Sequence, residues 1–187
     1  MSPGLPGCDV TRRALDAYYT PDDLAEALVS VLPVQEWDTA LEPSCGGGAF
    51  VRAMQRRKMQ VLGMDIDGEA AGLRGLSHAI VADFLAYDFA YHEPLWVIGN
   101  PPFSDAEAHV RHALDVTDRH VAFLLRLAFL ESRKRVPFWR EHPPRKVWVL
   151  SERPSFTGGA TDSCAYGWFW FDKEHRGPTE LGWLSWK

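Results

Sequence analysis

Short apolar runs recur along the chain at nearly even spacing, and each is followed by polar or glycine-containing residues. These runs lie at 39–41, 60–64, 79–81, 95–98 and 120–125. Stretches with helical periodicity, 48–58 and 105–117, separate several of them. Because short buried strands that alternate with helices form βαβ units, the pattern predicts an α/β domain with a mostly parallel sheet.

The pattern differs from this repeat on both sides. Upstream, residues 20–32 carry apolar side chains at helical spacing, and Thr20 as N-cap before Pro21 at the first helical position predicts where the helix begins. Downstream, 146–150 and 165–171 are β-rich runs joined by a loop without a helix. That arrangement predicts an antiparallel pair that closes one edge of the sheet.

The composition fits one globular domain. The 187 residues are 46% apolar and 24% charged, and no apolar run is long enough to span a bilayer. The N-terminus has no basic flank followed by an apolar core, so we expect a cytoplasmic protein without membrane contact. Three isolated cysteines give no reason to expect a metal site.

The net charge of −5 is unevenly distributed along the chain. From Arg119 to Arg153 there are nine basic and three acidic residues, so this segment carries +6 and the remainder −11. An acidic balance by itself argues against nucleic acid, because phosphates are neutralised by Lys and Arg. The asymmetry favours one face kept for an anion, with a solvated basic helix as the alternative.

Three strand ends in succession carry groups suited to an adenosine-bearing ligand. The first is followed by three glycines, which allow a sharp turn and a close approach of backbone to ligand. Asp65 follows Gly46 by 19 residues, a distance typical of an acidic group that binds both ribose hydroxyls. Asp83, after the next strand, is placed to accept a hydrogen bond from an exocyclic adenine amine.

The fourth strand ends in Asn100-Pro101-Pro102-Phe103. Two prolines fix the backbone and lack N–H donors, so neighbouring carbonyls point outward. The Asn100 side-chain oxygen and the Pro101 carbonyl can both accept hydrogen bonds from one planar NH₂ group, and Phe103 offers a face for a flat ring. A Pro-Pro turn followed by a core phenylalanine is the alternative.

These motifs resemble those of the class I S-adenosylmethionine-dependent methyltransferases that modify amino nitrogens, above all the N6-adenine DNA methyltransferases. The run Glu42-Pro43-Ser44-Cys45-Gly46-Gly47-Gly48-Ala49-Phe50 is similar to motif I, and Asn100-Pro101-Pro102-Phe103 to motif IV. Tyr18-Tyr19-Thr20-Pro21 is similar to motif X, and its place before motif I is the γ-type order. The resemblance covers about residues 17–172 and implies a Rossmann-like fold with a mostly parallel seven-stranded sheet.

The resemblance implies roles for individual residues. Cofactor-binding positions would be Tyr19, Thr20, Pro21, Glu42, Pro43, Cys45, Gly46, Gly48, Phe50, Asp65, Ile66, Asp83, Phe84 and Asn100, with Glu42 and the glycines at the methionine part. Ile66 and Phe84 would contact the adenine faces. Asn100 and Pro101, with Pro102 and Phe103, would bind the target amine, stabilising the transition state without a general base or a metal.

The resemblance also suggests how a DNA base would be held. Phe156, in the loop between the last two strands, would contact the base opposite Phe103, because chemistry on a duplex base requires extrusion into a pocket. The alternative is a phenylalanine that covers the sheet edge. The expected phosphate contacts are Arg153, Arg133, Lys134 and Arg135.

Other acceptors and a non-enzymatic role stay open at this stage. RNA adenines and a protein glutamine amide also present planar NH₂ groups, and a non-catalytic cofactor-binding subunit is a further alternative. We expect one catalytic domain over 1–187, with an extension (1–16), a core (17–172) and a tail (173–187). Only 15 residues follow Asp172, so we expect no target-recognition domain and a partner or oligomer for that task.

Overall fold

A computed structural model describes residues 19–89, 93–156 and 162–187. Its helices are α1 (Asp22–Ser30), α2 (Ala49–Arg56), α3 (Ala106–Val116) and α4 (Val136–Glu141). Its strands are β1 (Thr39–Glu42), β2 (Gln60–Asp65), β3 (His78–Val81), β4 (Trp96–Gly99), β5 (His120–Arg126), β6 (Lys146–Leu150), β7 (Tyr166–Asp172) and β8 (Glu180–Leu184). Short 3₁₀ turns cover Phe103–Asp105 and Arg133–Arg135, among others.

The strands form one sheet in the order β3-β2-β1-β4-β5-β7-β6-β8. The first five strands in chain order pair in parallel, and β7 runs antiparallel to both β5 and β6. This confirms the predicted α/β class and the antiparallel pair near the C-terminus.

The sheet has eight strands, not the seven expected from the sequence. β8 lies within 173–187, which was predicted to be a tail, and it pairs in parallel with β6. Backbone hydrogen bonds from Glu180 N–H to Arg145 O and from Ser151 N–H to Leu184 O extend this pairing, each 2.9 Å long. The β6–β7 pair is therefore internal, and β8 forms the edge. Its half-exposed side chains gave only a weak strand pattern.

Successive residues of the central strands are buried on opposite faces of the sheet. On one face, Ile98 and Leu124 pack with α1 and α2, and on the other, Val97 and Phe123 pack with α3 and α4. Burial on both faces explains why these strands read as continuous apolar runs. Trp168 and Trp170 are buried in the first of these layers, whereas Trp183 on β8 is 69% exposed.

Helix α1 begins later than the sequence predicted. Its N-cap position is Pro21, which has no side-chain cap, and Thr20 precedes the helix. Pro21 cannot continue a hydrogen-bonded turn upstream, and the Asp23 carboxylate instead accepts from the Leu24 N–H at 2.9 Å. The Thr20 hydroxyl is thereby left for a contact outside the helix. Within the described ranges, no helix has the length and apolar character needed to cross a membrane.

Candidate functional site

A cavity of about 450 Å³ opens at the carboxyl ends of β1 to β4. Parallel strands present their carboxyl ends at one edge, so residues far apart in sequence meet there. The structure brings together the strand-end residues singled out from the sequence, among them Asp65, Ile66, Asp83, Phe84, Asn100 and Pro102.

The glycine-rich turn between β1 and α2 forms one wall of this cavity, together with Pro43. Gly46 and Gly48 have φ values of 43° and 80°, in the left-handed region where a side chain would be strained. The Tyr19 ring lies against the turn, since a Cβ added to Gly47 would be 2.8 Å from it. Tyr19, a predicted cofactor residue, also lines the large cavity, so its ring and the glycine turn face the same space.

Asp65 connects the end of β2 to the glycine turn. Its Oδ2 accepts a hydrogen bond from the Gly46 N–H at 2.7 Å, and its Oδ1 accepts from the Asp67 N–H at 2.9 Å. Each carboxylate oxygen has a second lone pair, so Asp65 can still accept from a ligand hydroxyl. The carboxylate is thus fixed in place before any ligand binds.

The far end of the cavity is flanked by two apolar side chains. Ile66 is 60% exposed, and Phe84 is buried against the His109 ring at a centroid distance of 5.6 Å. Burial lowers the pKa of His109, so this ring is neutral at physiological pH. Asp83 lies beside them, exposed, with one oxygen accepting from the Leu85 N–H at 3.0 Å. This end combines a slot for a flat ring with a carboxylate at its margin.

Glu42 lies in a second, smaller cavity of about 20 Å³ that shares Ser44, Gly46 and Asn100 with the large one. Its side chain is 1% exposed, and its Oε1 has no hydrogen-bond partner among the described residues. Burial raises the pKa of the carboxyl well above its usual value, and the Asp65 charge raises it further. Such a buried acceptor without a partner requires a donor from elsewhere.

Two predicted cofactor residues line the small cavity but are engaged inside the protein. The Cys45 thiol contacts the Glu42 carbonyl oxygen at 3.5 Å, and burial raises its pKa, so it stays protonated. The Phe50 ring stacks on Trp168 at 5.5 Å. We assign both side chains a supporting position behind the glycine turn.

Asn100 lies directly after β4, between the two cavities. Its Nδ2 donates a hydrogen bond to Thr20 Oγ1 at 3.2 Å. Its Oδ1 is shielded from solvent and has no hydrogen-bond partner among the described residues. The next residue, Pro101, is buried, and the Pro102 carbonyl accepts from the Asp105 N–H at 3.3 Å. After Glu42 Oε1, Asn100 Oδ1 is therefore the second acceptor of the site that has no partner among the described residues, and the hydrogen bond from Nδ2 to Thr20 fixes the same amide.

Phe103 and Phe156 do not form the predicted pair of rings that would hold a base between them. The Phe103 and Phe156 ring centroids are 6.1 Å apart and the planes are tilted by 59°, whereas a flat base between parallel rings needs about 7 Å. Phe156 is buried in the core beside the Tyr166 ring, at a centroid distance of 5.2 Å, and so has a packing role, which is nearer to the alternative. The Arg126 guanidinium covers the Phe103 face at 4.8 Å. Arg126, which ends β5, is thus a neighbour of Phe103 that the sequence pattern did not single out.

Comparison with known proteins agrees with this geometry. No protein-family model matches the sequence. The chain is 31% identical over 104 residues to the type II methyltransferase M.TthHB8I of Thermus thermophilus, an alignment that covers 54% of this chain and 24% of that protein. The chain spans about a fifth to a quarter of the length of the curated relatives it matches.

Solved structures share the fold at low sequence identity. A proposed RNA methyltransferase from Pyrococcus horikoshii has a TM-score of 0.71 at 17% identity, over 90% of this chain and 93% of that one. The M protein of the type I restriction enzyme EcoKI has a TM-score of 0.69 at 14% identity, over 86% and 44%. The chain has the class I methyltransferase fold. The predicted resemblance and fold class are confirmed.

Class I methyltransferases use S-adenosylmethionine, and the residues around the two cavities fit that molecule. The larger cavity has the volume of a small-molecule site. The unpaired Glu42 oxygen suits the ammonium of the methionine part, the fixed Asp65 carboxylate suits ribose hydroxyls, and Asp83 suits the adenine amine. The role of each residue stays a prediction.

The basic segment does not form a uniformly basic face. Carboxylates from outside the segment pair with four of its members: Arg119 and Arg145 with Asp172, Arg135 with Glu107, and Lys146 with Glu180. Arg135 also donates to backbone carbonyls and lies over Phe129, so its predicted phosphate contact is replaced by internal contacts. Arg133 and Lys134, which follow β5, and Arg153, which follows β6, are exposed at the cavity edge of the sheet.

Proposed function

We propose that this chain is the catalytic core of an S-adenosylmethionine-dependent DNA methyltransferase that transfers a methyl group to N6 of adenine. The observation that carries this proposal is the Asn100 side chain, whose Oδ1 is an unpaired acceptor between the two cavities. An acceptor without a partner at that place suits a ligand that brings N–H donors, such as the planar amine of a nucleobase.

The proposed chemistry follows from how an aromatic amine reacts. Its lone pair is delocalised into the ring, so it is a weak nucleophile until the nitrogen becomes more pyramidal. Asn100 Oδ1 and the Pro101 carbonyl would each accept a hydrogen bond from one N–H of this amine. The two hydrogen bonds favour the pyramidal geometry and stabilise the positive charge that develops on the nitrogen. S-adenosylmethionine supplies an electrophilic methyl group: an N–CH₃ bond forms, the S–CH₃ bond breaks, and the amine proton leaves to water.

Two features support a nucleic acid as substrate. The exposed residues Arg133, Lys134 and Arg153 follow strands that end on the same side of the sheet as the cavities, whereas Arg119, Arg145 and Lys146, on the opposite side, pair with carboxylates. Phosphates are bound by such exposed basic side chains. The relatives include the type II methyltransferase M.TthHB8I and the methylase subunit of the type I restriction enzyme MjaIX of Methanocaldococcus jannaschii, which favours DNA over RNA.

Target recognition is proposed to come from outside this domain. The chain aligns with about a fifth to a quarter of relatives that include a type I methylase subunit. We therefore propose that a partner, a second copy or a further segment reads the DNA sequence, and that this domain supplies the transfer step.

The direct test is methyl transfer from labelled cofactor to DNA, RNA and protein acceptors presented side by side. We expect labelled N6-methyladenine in DNA, and a loss of at least about a hundredfold for Asn100→Ala. Gln55→Ala, which removes an exposed amide from α2, is the matched control and should leave the rate unchanged. Label only in RNA or in a glutamine amide would move the proposal to that acceptor.

A non-catalytic role has its own signature. Calorimetric binding of S-adenosylmethionine, without transfer to any of the three acceptor classes, would contradict the proposed activity. Equal rates for wild type and Asn100→Ala would overturn the mechanism.

A further inference from the structure

The two ends of the Asn100 amide have different surroundings. Nδ2 donates to Thr20 Oγ1 at 3.2 Å, across 80 residues of sequence, and Oδ1 has no partner among the described residues. An amide rotated by 180° would turn its NH₂ group toward the place proposed for the target amine. Two donors would then face each other, and no hydrogen bond could form. The proposed function therefore depends on which way this amide points.

Thr20 is the hydrogen-bond partner that can fix the orientation of the Asn100 amide. A hydroxyl accepts and donates, so it keeps the observed orientation only while its own hydrogen is directed elsewhere. Thr20 lines the small cavity together with Glu42 and the glycine turn, where the methionine part of the cofactor is proposed to lie. An acceptor bound there, such as a carboxylate, takes the hydroxyl hydrogen. The Thr20 oxygen can then only accept, and the Asn100 NH₂ is the donor beside it.

We propose that Thr20 is a positioning residue that holds the Asn100 amide with its oxygen toward the target amine, and that it does so most firmly when the small cavity is occupied. This inference rests on the proposed function for its effect on rate. The hydrogen bond itself can be tested without any methyl transfer.

The first test uses the fact that Asn100 is the only asparagine in the chain. Protein grown with side-chain ¹⁵N-asparagine gives a single NH₂ group in a nuclear magnetic resonance spectrum. In wild type we expect the two proton signals to be separated more widely than those of a free carboxamide, because the bond to Thr20 shifts one of them, and we expect a still larger separation with S-adenosylhomocysteine bound. Thr20→Val should reduce this separation to that of a free carboxamide, and Thr20→Ser should retain it.

A hydroxyl elsewhere provides the matched control. Thr179 donates to the Pro144 carbonyl at 2.7 Å at the start of β8, so Thr179→Val removes a comparable hydrogen bond without touching the site. It should leave the Asn100 signals unchanged. If Thr20→Val also leaves them unchanged, with and without S-adenosylhomocysteine, the proposed contact is absent and the inference is wrong.

The second test measures methyl transfer in a single turnover at saturating cofactor. Thr20→Val should slow transfer by about tenfold or more, with Thr20→Ser close to wild type. In the Asn100→Ala background, Thr20→Val should add little, because the amide that it positions is gone. Equal slowing in both backgrounds would assign Thr20 a separate structural role and overturn the inference. Wild type that transfers no methyl group would overturn the proposed function and leave the spectroscopic result standing.

Discussion

Replacing Glu42 by glutamine is expected to stabilise the free protein and to weaken cofactor binding. The Glu42 carboxyl is 1% exposed, and burial holds its pKa well above the usual 4.5. A carboxyl whose pKa is raised by folding gives its full stability below pH 4.5 and loses it as pH rises toward the raised value. Each pH unit in that interval costs about 1.4 kcal/mol of unfolding free energy. Glutamine has no proton to lose, so the substitution removes this cost.

Cofactor binding should change in the opposite direction. An ionised Glu42 can accept a charged hydrogen bond from the methionine ammonium, a contact worth about 1.5–3 kcal/mol. Its loss corresponds to roughly 10- to 150-fold weaker binding of S-adenosylhomocysteine. Because binding favours the ionised carboxyl, wild type should release a proton on binding, and its affinity should rise with pH until the raised pKa is passed.

Thermal unfolding between pH 5 and 8 and calorimetry in two buffers of different ionisation enthalpy measure both effects. Glu42→Gln should unfold at a higher temperature than wild type, by a margin that grows with pH, and release no proton on binding. Glu36→Gln is the control, since Glu36 is exposed and pairs with Lys58 at 2.6 Å. Unchanged affinity together with unchanged unfolding temperature would refute this account of the Glu42 site.

Three further outcomes are expected. Gly99→Ala should abolish calorimetric binding of S-adenosylhomocysteine, because its Cβ would lie 2.3 Å from Glu42 Oε1. Burial lowers the pKa of His120 to about 4, so wild type should lose up to about 3 kcal/mol of unfolding free energy, measured by denaturant titration, as pH falls from 6.5 to 4. His120→Phe should flatten this dependence. The double variant Arg133→Ala/Lys134→Ala should reduce the salt dependence of DNA binding by about two counterions.

Each of these outcomes has a matched comparison. Gly68→Ala places its Cβ at an ordinary 3.4 Å from Val81, and it should bind normally. Arg57→Ala removes an exposed charge near the start of β2, at the opposite sheet edge, and should leave the salt slope unchanged. A Gly99→Ala variant that binds like wild type, a His120→Phe variant as acid-sensitive as wild type, or equal salt slopes for Arg57→Ala and the double variant would contradict the respective reasoning.

Much of the sheet could be predicted because its signal is local. Strands buried on both faces appear as short apolar runs, and glycine or aspartate after such a run marks a strand end. Since parallel strands end at one edge, Gly46, Asp65, Asp83 and Asn100 could be expected to meet. β8 was not predicted, because its side chains are half exposed and give no clear apolar run. It is held in the sheet by backbone pairing with β6 rather than by burial.

The sequence by itself determined which chemical groups lie together at the carboxyl ends of the parallel strands, and that the central strands run in parallel. Only the tertiary structure decided which of those groups are already engaged. Arg135 pairs with Glu107, Phe156 packs on Tyr166, and Thr20 accepts a hydrogen bond from the Asn100 NH₂ group. Hydrogen bonds and ion pairs act within a few ångströms, and residues that far apart in sequence reach that distance only through packing, so no local pattern records them.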